Sequence, residues 1–226
     1  MANIALSRLL QLSSTMLPVG AYSYSQGLEW AIESGTVHDL ASANTWITDA
    51  LMLYQGQYEL PVLYGAYQAW QADNFADIQY WDAYFQAGRD TSEAFAETRQ
   101  MGYSLARLLN DLGSLPVDFM VKVNSLNTPS FPTLYAGIAH TWAISAEDML
   151  HAYAWSWAEN QVSAAMKTVP LGQVAGQKML ITLGDELPKI VTQAMQLADA
   201  EISNYSPGLS IASCRHETQY SRLFRS

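Results

Sequence analysis

The sequence is poor in cysteine and in charge, and both shortages narrow the classes of protein to which it could belong. A single cysteine, Cys214, among 226 residues excludes an intramolecular disulfide framework and a cysteine-rich zinc or iron–sulfur site. Charged residues make up 14% of the chain, against about 25% in an ordinary soluble domain. We expect a protein with so little charge to cover part of its apolar surface with another protein.

Basic residues are especially few. Lysine and arginine number 11 against 21 acids, which gives a formal net charge of −10. This balance argues against nucleic acid or anionic lipid as the main partner and favours a protein with a basic surface. No apolar run is long enough to span a membrane, and Arg8 interrupts the stretch that a secretory signal would need. We therefore expect a cytoplasmic protein that binds neither membrane nor nucleic acid.

The spacing of apolar residues indicates helices throughout. They recur three and four positions apart along almost the whole chain, and the alternation of a half-buried strand is absent. Half of the residues are hydrophobic, which is enough for a sizeable core. The pattern predicts an all-α protein: a single compact bundle of about eight to ten helices over residues 1–204, followed by a flexible, partner-binding C-terminal tail over residues 205–226.

Local signals predict where several helices begin or break. Pro61 should start or kink a helix, the Gly- and Pro-rich stretch 112–132 should be irregular, and Gly184 with Pro188 should interrupt the last long helix. Three capping side chains, each with an acid three residues later, predict helix starts: Asn74 with Asp77, Asp90 with Glu93, and Ser145 with Asp148.

Charge is unevenly distributed along the chain. From Glu29 to Glu93 there are ten acids and a single base, Arg89. Solvated helix faces would account for this stretch, and a landing surface for a basic partner is the alternative. The final segment has the arginine-and-aromatic composition of an interface anchor, in Arg215, Arg222, Arg225, Tyr220, Leu223 and Phe224.

Patterns for enzymatic chemistry are absent. No glycine-rich loop is followed by Lys-Ser or Lys-Thr, and no Gly-x-Ser-x-Gly occurs. Metal-ligand side chains cluster once, as Cys214, His216 and Glu217, and three ligands on one segment do not complete a metal site. We expect no cofactor and no metal site, and keep Cys214 and His216 as the pair to test for metal binding.

Three segments together carry the motifs of a known family. The first is Pro18-Val-Gly20 followed by Tyr24-Ser-Gln-Gly-Leu-Glu29, and the second is Pro170-Leu-Gly-Gln173. The third is His216-Glu-Thr-Gln-Tyr-Ser-Arg-Leu-Phe-Arg-Ser226. In this order, over a chain of this length, the segments resemble the UreF family of urease accessory proteins.

The resemblance implies a non-enzymatic, all-α and typically homodimeric scaffold. In the family, this scaffold joins the accessory protein UreD, also called UreH, and the GTPase UreG. The complex acts on apo-urease and couples GTP hydrolysis to nickel insertion, and the scaffold bridges UreD and UreG and modulates the GTPase. The resemblance therefore implies these partners for the present chain, with nickel and GTP belonging to their chemistry.

The motifs also suggest which residues meet each partner. We expect the following residues to face UreG: Tyr24, Ser25, Gln26, Glu29, Lys167 and Gln173. We expect the following residues of the tail to face UreD: Arg215, Thr218, Tyr220, Arg222, Leu223, Phe224 and Arg225.

Two other functions stay open from the residues alone. The seven tryptophans are expected in the core, but they could instead line an apolar pocket of a helical small-molecule-binding protein or enzyme. A closed pocket of several hundred Å³ with a polar group at its centre would indicate that function. A nickel carrier is the third possibility, which metal titration would decide.

Overall fold

The computed structural model describes residues 2–226. Within these residues the protein is helical and contains no β-strand, which confirms the predicted all-α class. In chain order the α-helices are α1 (Ala2–Leu12), α2 (Leu28–Glu33), α3 (Leu40–Ala50), α4 (Leu60–Gln71), α5 (Phe75–Ala87), α6 (Ser92–Leu112), α7 (Val117–Ser125), α8 (Phe131–Thr141), α9 (Ala146–Thr168), α10 (Gln173–Gln196) and α11 (Pro207–His216). A π-helical stretch, Leu51–Glu59, joins α3 to α4, and short 3₁₀ turns lie at Ala21–Ser23 and Asp199–Glu201.

The core lies around α8, whose residues 131–139 are all buried. Helices α4, α6 and α9 pack against α8, and α10 packs along α9 and α4. Gly137 permits this density, because a Cβ there would lie 2.6 Å from the Trp70 ring of α4 and 3.0 Å from the Phe119 ring of α7. No helix among residues 2–226 combines the length and the hydrophobicity that a membrane span requires.

Pro61 begins α4 without ending the helical run that precedes it. A proline has no N–H to donate, so in a regular helix the carbonyl four residues earlier loses its partner. Here that carbonyl belongs to Gln57, and it accepts a hydrogen bond from the Ser203 N–H at 3.0 Å. The π stretch before Pro61 and the link to Ser203 together explain why the chain continues as a helix from residue 40 to residue 71.

One predicted interruption is wrong, and the predicted irregular stretch 112–132 is confirmed only at 113–116 and 126–130. Helix α10 runs through Gly184 and Pro188, because it buries an apolar face that includes Leu183 and Leu187. Each such side chain contributes about 1.5–3 kcal/mol, which together outweighs the cost of about 3 kcal/mol for an internal proline. In the stretch 112–132, helix α7 forms between the prolines and buries Phe119 and Val123.

The predicted helix starts are confirmed at two of three places. Asn74 and Ser145 accept N–H groups from the first turns of α5 and α9, respectively. The third start lies one residue later than predicted, because Thr91 is the residue that accepts an N–H of α6. The Asp90 carboxylate instead accepts a hydrogen bond from the Ser210 hydroxyl on α11 at 2.5 Å.

The C-terminal region differs most from the prediction. The expected flexible tail is an ordered part of the structure: α11 packs against α2, and His216, Phe224 and Ser226 are buried. The physical reason is that acids on α2 and α6 accept hydrogen bonds from this region, as described below. We call residues 217–226, which follow α11, the strap.

Candidate functional site

The end of the strap is bound to the loop before α2 through its main chain. The carbonyl oxygen of Ser226 accepts hydrogen bonds from the N–H groups of Ser25 and Gln26, at 2.6 and 2.9 Å, and from the Ser25 hydroxyl at 2.6 Å. The Arg225 N–H donates to the Ser23 carbonyl at 2.8 Å. These hydrogen bonds involve main-chain atoms of the strap, so they fix its path independently of the side chains that point outward.

Glu29 holds the middle of the strap. Its carboxylate, in a residue only 8% exposed, accepts the N–H of Leu223 at 2.6 Å and the N–H of Phe224 at 2.9 Å. The Nε2 atom of His216 lies 3.2 Å from the same carboxylate. A buried carboxylate is tolerated only when several donors replace its water, so the strap and Glu29 stabilise each other.

His216 lies between two carboxylates and has no exposed surface. Its Nδ1 is 2.7 Å from Glu93 Oε2, and its Nε2 faces Glu29. Because an ionised carboxylate only accepts hydrogen bonds, both contacts are satisfied when both ring nitrogens carry a proton. The Arg222 guanidinium donates to the other oxygen of Glu93 at 2.6 Å, which joins the strap to α6.

Gln26 connects the strap to the core. Its side-chain amide donates to Glu97 at 2.8 Å, and its carbonyl oxygen accepts from the Trp157 indole at 2.6 Å. Glu97 also accepts from the Ser226 hydroxyl at 3.1 Å. Burial raises the pKa of Glu97, and the nearby Arg89 acts in the opposite direction.

Gly27 explains why the motif at this turn contains glycine. Its φ of +83° lies in the left-handed region that side chains disfavour. A Cβ at this position would also lie 2.9 Å from the main-chain nitrogen of Ser213 on α11. The missing side chain therefore lets α11 approach α2.

Glu217 binds the start of the strap to the N-terminus of α6. Its carboxylate accepts from the Ser92 hydroxyl at 2.6 Å and from the N–H groups of Ser92 and Glu93, at 2.8 and 3.3 Å. The Ser92 hydroxyl is the largest cause that lowers the pKa of Glu217. An acid at a helix N-terminus also interacts favourably with the helix dipole.

The residues predicted to face UreG mostly contact the strap. Tyr24, Ser25 and Glu29 are buried and Gln26 is half-buried beneath it, while Lys167 and Gln173 are exposed. Burial raises the pKa of Tyr24, and its hydrogen bond to Arg225 opposes that shift. The Lys167 ammonium lies 5.5 Å from the centre of the Phe224 ring, a cation–π contact.

The residues predicted to face UreD divide into one inward and several outward side chains. Phe224 is buried in the core cluster. Tyr220 is fully exposed and Leu223 is 64% exposed. The remaining outward residues are Arg215, Thr218, Arg222 and Arg225. The structure thus brings most of the first set together with the strap, through Tyr24 to Glu29 and Lys167, while Gln173 is exposed at the start of α10.

The structure separates the two residues that we kept to test for metal binding. Cys214 is exposed, and His216 is buried with both ring nitrogens occupied. They lie two positions apart on α11, and side chains at that spacing do not share a helix face. Across residues 2–226, no three His, Cys, Asp or Glu side chains are arranged to hold a metal ion.

A cavity beneath the site contains a buried ion pair. Arg89 donates to Glu59 at 2.7 Å and to the Tyr54 hydroxyl at 2.8 Å, and the Tyr153 hydroxyl donates to Glu59 at 2.9 Å. The cavity has a volume of about 90 Å³, and its lining includes one tryptophan, Trp157. This is smaller than the several hundred Å³ that a small-molecule site requires.

Three contacts of the site were missed by the sequence analysis. Glu93, Glu97 and the Arg89–Glu59 pair were not predicted to take part in it. The one available signal was Arg89 itself, the only base within a long acidic stretch, because many carboxylates in that stretch could pair with it.

Comparisons with a family profile and with individual proteins identify the same family. The profile of the UreF family matches residues 37–184. A urease accessory protein UreF from Methylobacillus flagellatus is 60% identical over 98% of both chains, and one from Azoarcus sp. is 51% identical over 99% of this chain and 96% of its own. A bifunctional urease accessory protein UreEF from Bordetella bronchiseptica is 45% identical over 98% of this chain and 52% of its own.

The profile covers more than half of the chain, and the two UreF relatives match it almost from end to end. Their name describes an accessory role in making urease, which agrees with a site built from hydrogen bonds and packing contacts. The protein thus belongs to the UreF family and is an accessory protein of urease, not an enzyme.

Proposed function

We propose that this protein is a scaffold of urease maturation that bridges UreD (UreH) and the GTPase UreG. In this role it modulates GTP hydrolysis while nickel is inserted into apo-urease. Nickel is cargo of the assembly, and the scaffold contributes surfaces. Its partners are therefore UreD, UreG and apo-urease.

The observation that carries the proposal is the fixed strap. Its main chain is bound by Glu29, Ser25 and Gln26, while Tyr220 and Leu223 point to solvent. Aromatic side chains and arginines dominate the energetics of protein interfaces. A pre-ordered anchor also costs less conformational entropy on binding than a disordered one. We assign this outward face to UreD.

The neighbouring surface is the proposed UreG contact. Lys167 and Gln173 are the two exposed members of the set that the sequence analysis assigned to UreG. Lys167 lies against Phe224, so the two partner surfaces share a boundary. Tyr24, Ser25, Gln26 and Glu29 would act indirectly, by fixing the strap beside that surface.

Two further properties belong to the proposal. Helix α1 carries Ile4, Leu6 and Leu10 in exposed positions, which supports an additional protein contact. We propose that a second copy of this protein covers these apolar residues of α1, and that the resulting homodimer functions in the cytoplasm. The bifunctional UreEF relative in addition supports an association with UreE, which co-purification of the two separate proteins would test.

The test is a pull-down with purified UreD and UreG. Tyr220→Ala combined with Leu223→Ala should lower the recovery of UreD about tenfold or more, since one interface hot spot contributes at least about 2 kcal/mol. GTP hydrolysis by UreG in the recovered complex is measured in parallel and should change only when the full assembly forms.

The matched control is Tyr103→Ala combined with Leu112→Ala, an exposed tyrosine and an exposed leucine on α6. These changes remove the same two types of side chain far along the chain from the strap and should leave UreD recovery unchanged. Equal recovery by both double variants, with intact helical circular dichroism, would contradict the assignment of the strap to UreD.

A further inference from the structure

We propose that the strap is a proton-sensitive clasp controlled by His216. The strap stays docked while the His216 ring carries protons on both nitrogens, and it loosens around Leu223 and Phe224 when the ring loses one proton to solvent. The inference concerns the chain alone and holds or fails whichever partner binds the strap.

The charged groups around His216 are few and come from three directions. Helix α2 contributes Glu29 and helix α6 contributes Glu93, both within hydrogen-bonding distance of the ring. The strap contributes Arg222, which binds the far oxygen of Glu93. On the side of α11, Arg215 is exposed and Glu217 turns towards the N-terminus of α6.

The charges of Glu29, Glu93, Arg222 and His216 sum to zero only when both nitrogens of the His216 ring carry a proton. Glu29 and Glu93 carry two negative charges, which the Arg222 guanidinium and a doubly protonated His216 ring neutralise. The ring is fully buried and Glu29 nearly so. Loss of one ring proton therefore leaves an unmatched negative charge in a site with little access to water, which is strongly unfavourable.

The geometry indicates which contact breaks first. The Nδ1–Glu93 distance is 2.7 Å and the Nε2–Glu29 distance is 3.2 Å, so the remaining proton stays on Nδ1. The Nε2 lone pair then faces a carboxylate oxygen of Glu29 and repels it. That oxygen also accepts the Phe224 N–H, so its displacement removes a main-chain bond of the strap.

The consequence is local. Ser226 keeps its bonds to Ser25 and Gln26, and Arg222 keeps Glu93, so the ends of the strap stay attached. The freed part contains Leu223, an outward anchor, and Phe224, which packs in the core. A rise in pH would thus change the conformation of the anchor without unfolding the bundle.

A nitroxide spin label on the strap tests this. The only cysteine is replaced by Cys214→Ser, and the label is placed by Leu223→Cys, in the part of the strap that is released, where the side chain is 64% exposed. Electron paramagnetic resonance spectra are recorded between about pH 5.5 and about pH 9, from below to well above the ordinary histidine pKa of about 6.5. We expect an immobilised label at low pH and a several-fold shorter rotational correlation time at high pH.

Two variants identify the group responsible. His216→Gln, which cannot become charged, should abolish the pH transition, whereas His38→Gln, at an exposed histidine before α3, should preserve it. A wild-type label whose mobility does not change with pH overturns the proposal, as does a transition that survives His216→Gln.

If His216→Gln does not fold, the wild-type ring decides the question. Imidazole ¹⁵N resonances should report two protonated nitrogens on His216 while the label is immobile, and one after it is released. A His216 ring that keeps both protons through the mobility change, or a neutral ring in the docked state, rejects the clasp.

Discussion

At the scale of single residues, the molecule depends on buried carboxylates that are satisfied by hydrogen-bond donors of the same chain. Glu29 begins the acidic stretch and Glu97 lies four residues after its end, and composition alone is equally compatible with solvated side chains at both positions. In the structure, both turn inward and accept hydrogen bonds from the strap or from the loop beneath it. Their acidity therefore serves to hold a segment of the same chain.

Glu29→Ala should release the strap and destabilise the fold. It removes the acceptor of two main-chain N–H groups and one charge beside His216, and we expect the free energy of unfolding to fall by about 3 kcal/mol. Urea denaturation measures this loss, and amide hydrogen exchange at Leu223 and Phe224 should become faster. Glu33→Ala, at an exposed position of the same helix, should change the stability by less than about 0.5 kcal/mol. Similar losses in both variants would contradict the role of Glu29.

Glu97 should make the stability depend on pH with a definite sign. Its pKa is raised in the folded protein, chiefly by burial, so the folded state holds the proton more tightly than the unfolded chain. Stability is then lost as pH rises from the ordinary pKa of glutamate, about 4.3, through the higher folded value. In Glu97→Gln, which retains a carbonyl acceptor, this loss should disappear.

The measurement for Glu97 is urea denaturation at a series of pH values. The stability of Glu97→Gln relative to wild type should increase with pH across that window. The control is Glu33→Gln, the same chemical change at an exposed position at the end of α2, and the pH dependence of Glu97→Gln is measured relative to this control. A constant difference for Glu97→Gln would mean that Glu97 does not titrate differently in the two states.

At the scale of elements, α11 is positioned by its approach to α2. The approach requires a residue without a side chain at the turn before α2, and Gly27 meets this need. Because α11 leads directly into the strap, the distance between α2 and α11 determines whether Glu29 can reach His216 and Phe224.

Gly27→Ala should therefore be more costly than its backbone conformation alone explains. Gly35 offers a matched comparison, since its φ of +77° is close to the +83° of Gly27 but a Cβ there would have no neighbour within 4 Å. Both alanine variants incur the left-handed penalty of about 1 kcal/mol. Only Gly27→Ala also forces α11 away, so its melting temperature should be clearly lower. Equal melting temperatures would show that the contact with α11 is not tight.

The sequence predicted elements well wherever the signal was local. Asn74 and Ser145 begin α5 and α9 as expected, because a cap and the N–H groups it satisfies lie within one turn. The continuity of α10 could not be predicted, since it depends on a face of Leu183 and Leu187 that packs on distant helices. The strap was predicted to be flexible for the same reason: Glu29 and Phe224 meet only in the folded chain.

The candidate site was predicted in its members but not in its arrangement. The motifs identified Tyr24 to Glu29 and the final arginines as functional, and the assignment of each set to a partner remains a prediction. What the sequence could not indicate is that one set supports the other. The same types of residue can hold a main-chain segment of their own protein or contact a partner, so the residue types alone do not distinguish the two roles.

At the scale of the whole molecule, family membership and architecture lead to the same conclusion. The protein is an all-α accessory protein of urease, with a small cavity under its main candidate site and exposed side chains, Tyr220 and Leu223, on the strap. The buried Arg89–Glu59 pair joins the loop before α6 to the π stretch and, through Tyr153, to α9. The bundle thus provides a stiff support on which the strap is held.

The bond between Ser203 and the Gln57 carbonyl extends the influence of Pro61 to the far end of the chain. Ser203 precedes α11 by only a few residues, so the point where this helix begins is tied to a main-chain carbonyl of the π stretch, just before a proline that has no N–H to donate. The position of α11 and of the strap that follows it therefore depends on an irregular helical stretch much earlier in the sequence.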